Sequence, residues 1–155
     1  MATTPEERLA AMGLELPTPA SPVANYVSYV QTGNLLYLAG QVSRTTDGQY
    51  MLGKLGDTMS VPEGYQAARS AALFTIATMK EAIGNLGRMT RFVRLFCMVN
   101  CTPDFGDQPS VMDGASDLFV DVFGDQGRHA RCAVGLVSLP GGCAIEMEAI
   151  VEIEA

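Results

Sequence analysis

The sequence predicts an α+β domain in which one sheet carries two helices on one face, in the order βββ-α-β-α-ββ. Two observations carry that reading. Runs rich in β-branched and aromatic residues recur at 26–31, 35–42, 91–100, 131–138 and 144–153, bounded by Gly, Pro and Asn. Two longer windows, opening near residues 60 and 109, place apolar residues at helical spacing. At 155 residues, nearly half of them apolar, the chain suits one domain with a real core.

The first element is a short helix over 4–12. Thr4 can cap it, Pro5 fits its first turn, Glu7 completes a capping box and Gly13 ends it. A proline-containing connector, Leu16 to Pro22, follows. Residues 1–24 are set apart on this basis from a main domain at 25–155. The runs YVSYVQ and LLYLAGQV flank Thr32-Gly33-Asn34 and predict a β-hairpin. After a turn at Asp47-Gly48, Gln49 to Leu52 is a short third strand.

Ser60 and Glu63 form a second capping box around Pro62. Ala68, Ala72, Leu73, Ile76, Met79, Ile83 and Leu86 continue at helical spacing, and Gly87 is the expected stop. In the middle strand, 91–100, Phe92, Phe96 and Met98 are expected on one face, with Val93, Leu95, Cys97 and Val99 on the other. A strand apolar on both faces is covered on both. Two helices cover one face, so an oligomer is expected to cover the second. The second helix, 109–123, presents Val111, Met112, Ala115, Leu118, Phe119 and Val122 on one side and ends at Gly124. Strands at 131–138 and 144–153 close the chain, and Leu139-Pro140-Gly141-Gly142 reads as a hairpin turn between them.

Composition excludes several function classes. A net charge of −7 without a basic stripe argues against nucleic acid. Four cysteines without a C-x-x-C pair, and one His, give no zinc-ligand pattern, so no metal is expected and the thiols read as reduced packing groups. No secretory or membrane-spanning run is seen, which makes the cytoplasm the expected compartment. Phosphate-binding loops, dinucleotide fingerprints and nucleophile elbows are lacking, and no cofactor is expected.

The candidate chemistry lies near the C-terminus. Arg131 opens an apolar strand, and a guanidinium there needs an anionic partner from protein or ligand. Glu146 and Glu148, two apart on a strand, project to one face ~7 Å apart. Read as a hairpin, the last two strands do not by themselves bring Arg131 onto Glu146. A structural ion pair and a solvated Glu-x-Glu face are the plain alternatives. Tyr26, the lone His129, and Gly40, which either marks a bulge or lets a ligand approach the backbone, complete the set.

Three stretches then carry a resemblance: Tyr26-Val27 with Gly33-Asn34 and Leu38-Ala39-Gly40-Gln41-Val42; Arg94 to Val99 leading to Asp104-Phe105; and Ala130-Arg131-Cys132-Ala133-Val134, Leu139-Pro140, then Ile145-Glu146-Met147-Glu148-Ala149-Ile150. From about Asn25 to Ala155 the chain resembles the Rid/YjgF family, which includes the RidA-type enamine and imine deaminases. The resemblance implies a chorismate-mutase-like homotrimer with clefts between subunits. It implies that Arg131 binds the carboxylate of a small imino or oxo acid, that Glu146 positions water, that Tyr26 lines the cleft, and that backbone near Gly40 and Ala133 contacts the ligand. The implied reaction is cofactor-free hydrolysis of 2-imino acids, formed from enamines such as 2-aminoacrylate, to 2-oxo acids and ammonia. Two departures fall at expected ligand positions: Asp113 stands where Asn is common, and His129 replaces a Pro. They favour as rival a non-catalytic carboxylate-binding module on the same cleft. The ribonuclease activity of some members is disfavoured by the acidic charge.

Overall fold

The computed structural model describes residues 3–155. Its elements are α1 (Pro5–Ala11), β1 (Tyr29–Thr32), β2 (Leu35–Val42), α2 (Val61–Ile83), β3 (Met89–Asn100), α3 (Gln108–Phe123), β4 (Ala130–Leu136) and β5 (Ile145–Ile153). The five strands form one sheet in the order β1-β2-β5-β3-β4, all neighbours antiparallel except β3 and β4.

Both capping boxes form: Thr4 and Ser60 accept from the backbones of Glu7 and Glu63, whose carboxylates return the bond. α2 ends at Gly84, not Gly87. Gly84 takes φ +75°, a left-handed conformation that terminates a helix at no steric cost, and Leu86 is buried from a following 3-10 turn. Gln49 to Leu52 does not form a strand. It makes single bridges, Tyr50 to Arg44 and Leu52 to Cys143, because it serves two different neighbours in turn. Strand β1 begins at Tyr29, so Tyr26 and Val27 lie before it, where Tyr26 N–H closes a tight turn onto Ala24.

The core lies between the sheet and the α2/α3 pair. Ile145, Met147, Ala149, Val151 and Ile153 of central β5 are buried on the helix side. Each such large apolar side chain contributes about 1.5–3 kcal/mol when removed from water. On β3 the alternation is interrupted by a register shift between Phe92 and Arg94. Phe92 therefore joins Leu95, Cys97 and Val99 in the core, and Phe96 and Met98 lie half-buried on the opposite face. The expected grouping of Phe92 with Phe96 and Met98 is corrected by that bulge, which flips every later side chain. Among the described residues no helix packs on the far face.

β4 and β5 are not a hairpin. α3 returns the chain so that β4 lies parallel to β3, and β3 separates it from β5. The segment between them crosses the end of β3 at buried Asn100. Its side-chain Nδ2 donates to the Gly53 and Cys143 carbonyls, and its side-chain Oδ1 accepts from Lys54 Nζ at 2.7 Å. Lys54 also bonds the Val137 carbonyl, at the start of the crossing.

Helix α1 shares the main core through Leu9. Glu6 accepts from Lys80 Nζ and Leu86 N–H, each at 3.0 Å, and Arg8 donates to the Val122 carbonyl. It thus straps the C-terminal ends of α2 and α3, where helix carbonyls are otherwise unsatisfied.

Candidate functional site

The sheet divides the expected residues into two groups. Paired residues on neighbouring strands share a face. Arg131 pairs with Leu95, a core residue, so it points to the helix side at the β4 edge. Glu146 pairs with Met98 and Val42 and points to the open side. The two sit on opposite faces of one chain, and different cavities receive them.

The first cavity, about 240 Å³, is lined by Tyr26, Ala39, Gly40, Arg44, Tyr50 and Glu146 among others. Residues 20–23 of the connector also line it, so the connector, and not α1, reaches the site. Gly40 lies in a bulge: Ala39 and Gly40 together oppose the single residue Glu148 where the β2–β5 register shifts between Leu38 and Gln41. A Cβ at position 40 would stand 2.5 Å from Glu146 Oε1, so the glycine leaves the space that the carboxylate occupies. Among the described residues Glu146 has no hydrogen-bond or ion-pair partner. Burial, and then the neighbouring Glu148 charge, push its pKa above the usual carboxylate range. Burial and Glu146 together raise the adjacent Cys143 thiol to about 11, so it stays protonated.

The second cavity, about 290 Å³, is lined by Ser116, Asp117, Val120, Arg128, His129 and Arg131. Arg131 Nη2 donates to Asp113 Oδ1 at 2.8 Å and to the Pro109 carbonyl at 3.3 Å, and Nη1 donates to Ser116 Oγ at 2.9 Å. Three of five guanidinium N–H groups are thereby engaged. His129 Nδ1 is 2.7 Å from the Gly127 carbonyl, which can only accept, so Nδ1 carries the proton. Nε2 then accepts from Ser116 Oγ at 3.0 Å. The result is a relay, Arg131 to Ser116 to neutral His129 to the Gly127 carbonyl. Burial, with Arg131 nearby, lowers the His129 pKa and keeps it neutral. Ala133 sits mid-strand on β4, whose outer edge pairs with no strand among the described residues.

Arg44 was not singled out from the sequence. It lies in a polar loop, Ser43-Arg44-Thr45-Thr46-Asp47, with no apolar context to mark it. No group of three or more His, Cys, Asp or Glu side chains suited to a metal occurs among the described residues, and no helix there is long and apolar enough to cross a membrane.

The family model described as "YjgF/chorismate_mutase-like, putative endoribonuclease" matches residues 6–146. The chain is 47% identical over 146 residues to Protein TCP17 of Trypanosoma cruzi, covering 94% of this chain and 91% of that protein. It is 29% identical over 141 residues to a 2-iminobutanoate/2-iminopropanoate deaminase of Dermatophagoides farinae, covering 91% and 95%. A crystal structure from Shewanella oneidensis, described as a "putative endoribonuclease", superposes with a TM-score of 0.93 at 37% identity, covering 97% of this chain and 99% of that one.

Proposed function

The chain belongs to the YjgF/chorismate mutase-like family, and from that premise we propose that it hydrolyses reactive 2-imino acids to 2-oxo acids and ammonia. The observation that carries the reading is Glu146: a half-buried carboxylate without a partner among the described residues, in a cavity under a glycine bulge, with its pKa raised by burial and by Glu148. That is the disposition of a general base and acid. The 29%-identical imine deaminase supports the same reaction class.

Copies of the chain are proposed to associate as a trimer, bringing the Arg131 edge of one protomer to the Glu146 cavity of the next. Two features support this. Arg131 and Glu146 occupy opposite faces within a chain. Tyr26, which lines the Glu146 cavity, is exposed, as are the apolar side chains of Val27, Leu52 and Val137. In the proposed cleft the substrate carboxylate lies on Arg131, which fixes the imine carbon. Tyr26 lines the wall, and backbone beside Gly40 and Ala133 borders the ligand.

Water adds through oxygen to the imine carbon as Glu146 takes its proton and passes it to nitrogen, giving a carbinolamine. Glu146 next moves the hydroxyl proton to that nitrogen. The C–N bond breaks, the C=O bond forms, and ammonia leaves. Water is the only co-reactant, and no electrons are exchanged.

A second reading, a carboxylate-binding module without turnover, is favoured by one contact: Asp113 already occupies Arg131. The deciding experiment follows ammonia and 2-oxo acid release from freshly generated 2-imino acids. Release above the buffer rate that disappears in Arg131→Ala and Glu146→Ala supports the hydrolase. Retained carboxylate binding with no release in the wild type supports the module.

A further inference from the structure

We infer that Arg44 is a second anion-binding group in the Glu146 cavity, and that the ligand is therefore an imino or oxo acid with an acidic side chain. The inference rests on the hydrolase reading above for the position of the reacting carbon and of the first carboxylate on Arg131.

Arg44 is held by three independent restraints. Its backbone N–H donates to Ser70 Oγ on α2 at 3.3 Å, and the Ser70 hydroxyl donates back to the Arg44 carbonyl. Its guanidinium carbon stands 4.6 Å from the centre of the Tyr50 ring. Nη1 donates to the Gly48 carbonyl at 3.1 Å. The Tyr50 ring in turn packs against Gly141, at φ +61°, where a Cβ would strike it. Arg44, Tyr50 and the 140–142 turn thus form a stack that fixes one guanidinium beside the cavity.

What the stack lacks is a counter-charge. Arg44 is half-buried, lines the same cavity as Glu146, and pairs with no carboxylate among the described residues. Arg69, Arg91, Arg128 and Arg131 each have an acidic partner, Arg8 and Arg88 donate to the Val122 and Ile83 carbonyls at helix ends, and of the arginines without a carboxylate among the described residues only Arg44 lines the Glu146 cavity. Stacking on an aromatic face holds a guanidinium by its plane and leaves its edge N–H groups free to donate. A partly desolvated cation with free donors, pre-set next to the reactive carboxylate, is suited to an anion that arrives with the ligand. Glu146 itself does not meet that need, since no ion pair joins the two.

The test uses two stable 2-oxo acids of equal chain length, 2-oxoglutarate and 2-oxopentanoate, titrated into the full-length protein by calorimetry. The wild type is expected to bind the dicarboxylate at least about 10-fold more tightly, or ~1.4 kcal/mol. In Arg44→Ala, and in Arg44→Gln should the alanine variant melt early, that ratio falls toward one. A wild-type ratio near one, a ratio unchanged in both variants, or no binding of either acid overturns the inference. Imine turnover is read separately. Arg44-dependent discrimination without hydrolysis defeats the catalytic reading alone, and hydrolysis without discrimination defeats only the assignment of Arg44.

Discussion

At the scale of single residues, Glu146 and Arg131 meet opposite electrostatic fates. Burial and Glu148 raise the Glu146 pKa, so its charged form is disfavoured in the folded state relative to an unfolded value of ~4.3. The sign of the linkage follows. Its contribution to stability is intact below the ordinary Glu pKa and is lost as pH rises through the raised folded value. Glu146→Gln should therefore raise Tm at pH 7, by about 2–4 °C for each kcal/mol relieved. The gain should vanish near pH 4 in thermal melts at the two values. Imine turnover should fall by about 10²–10⁴-fold in the same variant. Arg131, in contrast, has its charge answered by Asp113, which is half exposed. Asp113→Asn removes a carboxylate that competes with ligand for the fork. It should tighten binding of a 2-oxo acid by about 2- to 5-fold, the size of a partly exposed ion pair, as read by calorimetry.

At the scale of elements, α2 and α3 approach through small residues. Ala67, Ala68, Ala71 and Ala72 of α2 are fully buried, and Gly114 of α3 faces the Tyr65 carbonyl closely enough that a Cβ would overlap it. Gly114→Ala should cost about 1–3 kcal/mol in chemical denaturation by overpacking, although alanine favours an isolated helix by about 1 kcal/mol. The opposite sign would mean that the helix pair relaxes freely. The elements themselves were largely legible, because capping boxes, helical spacing and strand alternation are local signals. Thr4-Pro5-Glu7 and Ser60-Pro62-Glu63 marked both helix starts correctly. The errors fell where local signals compete. Gly84 preceded the expected stop at Gly87, the β3 bulge moved Phe92 to the core face, and the bridges of 49–52 had the composition of a strand without a continuous partner.

At the scale of the whole molecule, Arg131 and Glu146 lie on opposite faces of one chain, and association is proposed to bring them into one cleft. Sedimentation should give a species of three chains. Dilution below its dissociation range should reduce turnover in step with the loss of that species. A monomer with undiminished turnover would remove the shared cleft. The two site residues that stood out earliest, Arg131 and Glu146, were legible because a charge in an apolar strand and paired acids on one strand are anomalies against their surroundings. Their relation was not. Leu139-Pro140-Gly141-Gly142 looks locally like a hairpin turn, and nothing near it shows that β3 will lie between β4 and β5. Arg44 was hidden for a related reason: its neighbours in the chain are polar, and its partners Ser70, Tyr50 and the Glu146 cavity belong to other segments. The sequence alone thus determined the family resemblance, the helix starts, the strands and the outstanding charges, since each is written within a few turns or residues of chain. Strand order, the face each charge occupies and the counter-charge it finds were decided only by the tertiary structure, because they depend on which distant segments exclude water from one another.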